Sequence, residues 1–133
     1  MFTYFSQMLP RRLFPVAFSP EWGRQMRFIT GPRQAGKTTL AKQKLAAEGT
    51  DGFYYLWDLR AVRERFKADQ FFFTADHPGS TLQPPWVCFD EIHKVPKWKN
   101  ALKGIFDSTG EQYRFIVTGS AKIRPSKAYR TAR

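Results

Sequence analysis

Eight consecutive residues limit the folds open to this chain more than any other feature: Gly31, Pro32, Arg33, Gln34, Ala35, Gly36, Lys37 and Thr38. They follow the spacing G-x-x-x-x-G-K-T. The glycines let the backbone curl so that successive N–H groups point inward, as a bound phosphate requires. The loop must lie between a strand and a helix, whose positive N-terminal end then faces the same anion. Both flanks qualify. Residues 27–30 (RFIT) are short, apolar and β-prone, while Lys37 to Ala47 places Leu40, Ala41 and Leu45 on one helical face before Gly49. A glycine turn that only caps a helix would not need the strand before it.

The rest of the chain repeats that alternation. Residues 53–58 (FYYLWD) read as an aromatic strand and 60–68 as a charged helix. Residues 74–85, rich in Pro, Gly, Ser and Thr, read as a loop. Trp86 to Phe89 is a continuous apolar run of the kind buried on both faces of a sheet. Trp98, Ala101, Leu102, Ile105 and Phe106 form one helical stripe that Gly110 ends, and Arg114 to Val117 is a fourth strand. Strands separated by helices predict an α/β fold with a mostly parallel sheet covered on both faces.

Two further acids complete the chemistry. Asp90 and Glu91 follow an apolar strand, which delivers their carboxylates to the C-terminal edge of the sheet, where open α/β folds bind ligands. In a phosphate site, Lys37 reaches the β- and γ-phosphates of ATP. The Thr38 hydroxyl and Asp90 hold Mg²⁺, and Thr39 follows on the same helix. Glu91 is spaced to take a proton from an attacking water. The alternative is a pair of acids that merely starts a helix. Thr118, in RFIVTGS, either aims a hydroxyl at the γ-phosphate or attacking water, or opens an ordinary Thr-Gly-Ser turn; it is preferred over Ser120. His77 and His93 lack metal-ligand spacing and receive no role. Asp58 is expected to make a structural hydrogen bond.

The chain has 133 residues and a net charge of +11. Residues 1–50 carry eight Lys/Arg against two acids, 51–109 eight against eight, and 110–133 six against one. The basic ends make nucleic acid a candidate partner, although no nucleic-acid-binding motif is present. The single cysteine, Cys88, suits a reducing cytoplasm and is expected to pack in the sheet. No apolar run is long enough to span a membrane, so no membrane partner is expected. The reading divides the chain into an N-terminal arm (1–26), a P-loop core (27–120) and a basic, disordered tail (121–133).

The segments GPRQAGKTTL, CFDEIHKVPKWKNALKGIFD and RFIVTGS together resemble the AAA-type ATPases of bacteria and archaea that carry an additional C-terminal domain of uncertain function. The resemblance runs from about Arg27 to Ser120. It implies a P-loop NTPase (AAA-like) three-layer αβα sandwich in which the Thr118 strand lies between the P-loop strand and the Asp90 strand. It further implies Glu91 as catalytic base and Thr118 as polar sensor, with ATP and Mg²⁺ as cofactors; a homo-oligomer is a candidate assembly, on which the sequence itself is silent. Ala35, His93 and Ala121 depart from the usual family residues. On this reading the sandwich is incomplete at its C-terminus and the chain is a truncated member that binds ATP with impaired turnover. The alternative is a non-catalytic, nucleotide-gated module that binds nucleic acid or a partner protein.

Overall fold

The computed structural model describes residues 2–6, 10–30, 36–119 and 130–131. The period-two alternation of strand side chains decides its layering. In β2 (Met26–Thr30), β4 (Trp86–Asp90) and β5 (Arg114–Gly119), neighbouring residues enter opposite cores. Met26, Phe28, Val87, Phe89, Phe115 and Val117 join one core, which Leu102 and Ile105 of α4 (Trp98–Thr109) complete. Ile29, Cys88 and Ile116 join the other, against Leu40, Ala41 and Leu45 of α2 (Lys37–Ala47) and Ala17 of α1 (Pro10–Ala17). Helices therefore cover both faces, as the three-layer αβα reading requires.

All strand pairs are parallel, in the order β3-β4-β5-β2-β1-β6. Strand β5 lies between β2 and β4, as the family resemblance implies. The N-terminal arm does more than precede the core. Its β1 (Phe2–Ser6) pairs with β2 from Phe2↔Met26 to Phe5↔Ile29, and α1 packs in the α2 core. Within the segment read as a disordered tail, Arg130–Thr131 form β6 beside β1; the remainder of 120–133 lies outside the described residues. Strand β3 is Tyr54–Leu56, shorter than the 53–58 expected, because a 3₁₀ turn at Asp51–Phe53 takes its first residue and a turn closed by the Leu59 N–H on the Leu56 carbonyl takes its last two. Among the described residues no helix is long and apolar enough to cross a membrane.

One buried cation stands out among the polar residues. Arg27, only 2% exposed, lies on the α2 side of β2. Its guanidinium donates to the carbonyls of Ala17 (2.9 Å), Gly23 (3.0 Å), Ser19 (3.3 Å) and Gln25, and lies 5.3 Å from the Trp86 ring centroid. Burial, then the charge of Arg114, pushes its pKa down to about 10, so it stays protonated at neutral pH. It thereby pins the chain between α1 and β2 to the sheet.

On the opposite face, α3 (Arg60–Ala68) buries no residue fully; Val62 and Phe66 pack partly against the core, and polar ties add to them. Arg65 Nη1 and Nη2 donate to Asp76 at 3.1 and 3.0 Å, and the Tyr55 hydroxyl donates to the same carboxylate. The hydrogen bond from Arg65 holds the Asp76 pKa below its ordinary value. A carboxylate with a depressed folded pKa contributes stability above its unfolded pKa and loses it as pH falls through the folded value. Asp76→Asn should therefore lower the urea midpoint at pH 7 and flatten the acid limb of stability below about pH 4. Urea titrations across that range check this; an unchanged acid limb would contradict it.

Candidate functional site

The same alternation that layers the core delivers the site. Cys88 and Ile116 point toward α2, so Asp90 and Thr118, two residues further along β4 and β5, point the same way. The strand register pairs Asp90 with Thr118 directly. Helix α2 starts at Lys37, after Gly36 in a left-handed conformation (φ 81°) that favours glycine. Its second residue, Thr38, donates to Asp90 Oδ2 at 2.9 Å. The Thr118 hydroxyl donates to Asp90 Oδ1, and the Tyr54 hydroxyl, from β3, donates to Oδ2. Asp90, 1% exposed, thus receives three hydroxyl donors, which offset the cost of burying its carboxylate.

A continued strand would point Glu91 to the opposite face from Asp90. Instead Glu91 adopts φ 65°, a left-handed conformation uncommon for a non-glycine residue, and ends the strand. Its N–H still donates to the Thr118 carbonyl at 3.0 Å. The kink returns the Glu91 carboxylate to the α2 side, where Oε1 meets Lys37 Nζ at 3.0 Å. Both groups are almost fully buried, at 6% and 9% side-chain exposure. The other Glu91 oxygen is 3.4 Å from His93 Nε2. Strain of this kind, held by surrounding contacts, concentrates at functional sites.

Gly36, Lys37, Thr38, Thr39, Asp90 and Glu91 line a cleft of about 510 Å³, with Lys42, Tyr54 and Asp58 on its β3 side. Lys42 Nζ lies 4.7 Å from the Tyr54 ring centroid. Burial, then the Asp90 hydrogen bond, raises the Tyr54 pKa, so its phenol remains a neutral donor. Burial likewise raises the Cys88 thiol well above its ordinary range, consistent with a packed, unreactive cysteine.

Lys37, Thr38, Asp90 and Glu91 therefore converge at one end of the sheet. Thr118 is 0% exposed, and its hydroxyl is directed at Asp90 rather than open to the cleft. Gly31, Pro32, Arg33, Gln34, Ala35 and Ser120 lie outside the described residues. Asp58 makes the structural contact expected of it, an ion pair with Lys94. Sequence reasoning did not find Tyr54 or His93. His93 stands two residues after Glu91, a proximity that could have suggested its contact. Tyr54 depends on the β3–β4 register, which the sequence does not print.

The oxygens present suit Mg²⁺ more than a softer metal. Thr38 Oγ1 and the Asp90 carboxylate are hard donors, and Mg²⁺ keeps most of its waters when bound by so few protein groups. Among the described residues no group of three or more His, Cys, Asp and Glu could hold a metal ion by itself.

A sequence profile described as an AAA domain matches residues 23–132. The match extends beyond Ser120, where the resemblance read from the motifs stops. No curated protein and no solved structure matches the chain.

Removing one donor from the buried Asp90 should register as lost stability. Thr118→Val, at the fully buried position, should cost roughly 1–3 kcal/mol, and Tyr54→Phe, at a half-buried one, about 1 kcal/mol. Urea unfolding measures both; a Thr118→Val variant as stable as the parent would show that this hydrogen bond does not support the carboxylate.

Proposed function

The chain belongs to the AAA-domain family, and from that premise we propose that it binds Mg²⁺–ATP at the α2–β4 cleft and is built to hydrolyse it. One observation carries this reading. Two consecutive residues of α2, Lys37 and Thr38, meet two consecutive residues at the end of β4, Glu91 and Asp90, at 3.0 and 2.9 Å. An ammonium and a hydroxyl at a helix start, facing two adjacent carboxylates, are the groups a nucleoside triphosphate with its cation requires.

The roles follow from the chemistry. Gly36 and the first turn of α2 bring N–H groups and the positive end of the helix to the phosphates. Lys37 Nζ neutralises β- and γ-phosphate oxygens. Thr38 Oγ1 and Asp90 would hold Mg²⁺, which when bound offsets charge on the reacting phosphate. Glu91 accepts the proton of the attacking water. In the structure Lys37 is paired with Glu91. Arrival of the phosphates gives Lys37 a more highly charged partner, and the exchange leaves Glu91 free for water. Thr118 acts through Asp90, keeping its carboxylate aimed at α2.

The test separates binding from chemistry. Lys37→Ala should abolish ATP binding in calorimetry. Glu91→Gln should keep nucleotide affinity while phosphate release falls by a factor on the order of 10² or more. Unchanged affinity in the lysine variant, or unchanged phosphate release in the glutamine variant, would overturn the assignment.

A further inference from the structure

A second concave surface lies outside the nucleotide cleft. A groove of about 620 Å³ runs between α3 and the connection from β4 to α4. Arg63 and Lys67 from α3 and Lys94 and Lys97 from the connection line it, with no Asp or Glu. Its apolar part comes from Phe66, Val95, Pro96 and Ala101. Two of the cations are engaged: Arg63 donates to the carbonyls of Trp57 (2.8 Å) and Asp58 (2.7 Å), and Lys94 pairs with Asp58. Lys67 and Lys97 have no carboxylate partner among the described residues. Glu64 of α3 is paired with Arg60 at 2.9 Å, and Asp69, just past the helix, accepts from the Phe71 N–H at 2.9 Å.

We propose that this groove docks an acidic, amphipathic peptide segment of a partner protein. Cations around an apolar floor complement a segment that alternates carboxylates with aliphatic side chains. A nucleic-acid strand suits the surface less well, because base stacking requires open aromatic faces. Phe66 packs edge-on to Trp57 at 5.5 Å, and the neighbouring Trp98 ring has Phe28 at 5.3 Å and Lys99 Nζ at 5.4 Å.

An ion pair connects the groove to the nucleotide cleft. Lys94 lines the groove, and its partner Asp58 lines the cleft. A peptide carboxylate at Lys94 competes with Asp58 for the same ammonium, so an occupied groove changes the charge facing the cleft. Docking itself does not depend on the nucleotide reading.

Fluorescence anisotropy on the full chain tests this, with a labelled peptide repeating Glu-Leu-Glu and a labelled oligothymidine as probes. The peptide should bind at low salt, and Lys67→Glu/Lys97→Glu should weaken it by about tenfold or more. Arg24→Glu/Lys103→Glu makes the same change in net charge on exposed positions that do not line the groove and should leave affinity within about twofold. Far-UV circular dichroism confirms that both variants remain folded. Equal losses in the two double variants would reduce the effect to attraction by the overall +11 charge and overturn the proposal. Tighter binding of oligothymidine than of the peptide, or no peptide binding, would overturn it as well.

Discussion

The meeting of α2 with the end of β4 is the constraint on which the rest depends. Lys37 and Thr38 can reach Glu91 and Asp90 only if the helix start and the strand end are held within a side chain's length. Neither contact is favourable by default. Asp90 and Glu91 are buried carboxylates, and burying a charge is costly unless partners satisfy it. Three hydroxyls satisfy Asp90, while Lys37 and His93 approach Glu91. Much of the polar chemistry at this end of the sheet answers those two charges.

The apolar layers hold that junction in place. Leu40, Ala41 and Leu45 anchor α2 on Ile29, Cys88 and Ile116, so the helix start stays beside the strand ends. On the other face Leu102 and Ile105 press on a core containing Trp57, Phe73, Phe89 and Phe115. Edge-to-face ring pairs such as Phe73–Phe115 at 5.8 Å and Trp57–Phe89 at 5.2 Å fill it. Close packing of this kind resists small displacements, which a site built on distances near 3 Å requires.

Much of this was legible in the sequence because it rests on local patterns. The loop spacing, the stripe of α4 and the apolar run ending in Asp90 each arise from periodicity within one element. The outcome was harder to read wherever it depended on pairing between elements. Strand β1 comes from a short aromatic stretch in the N-terminal arm, and its place beside β2 follows from sheet order rather than from its own residues. Tyr54 reaches Asp90 only through the β3–β4 register. Glu91 reaches Lys37 only because its backbone turns to φ 65°, and no residue type announces that turn. Arg27 looked like an ordinary strand residue, yet it gathers four carbonyls from the chain before β2.

Thr38 and Asp90 are proposed to form the cation-binding half of a triphosphate site. The most direct measurement is ATP binding by calorimetry with and without Mg²⁺, for the parent chain and for Asp90→Asn. The variant should lose about tenfold or more in affinity when Mg²⁺ is present and match the parent when Mg²⁺ is chelated. An equal loss under both conditions, or parent-like binding in the presence of Mg²⁺, would contradict it.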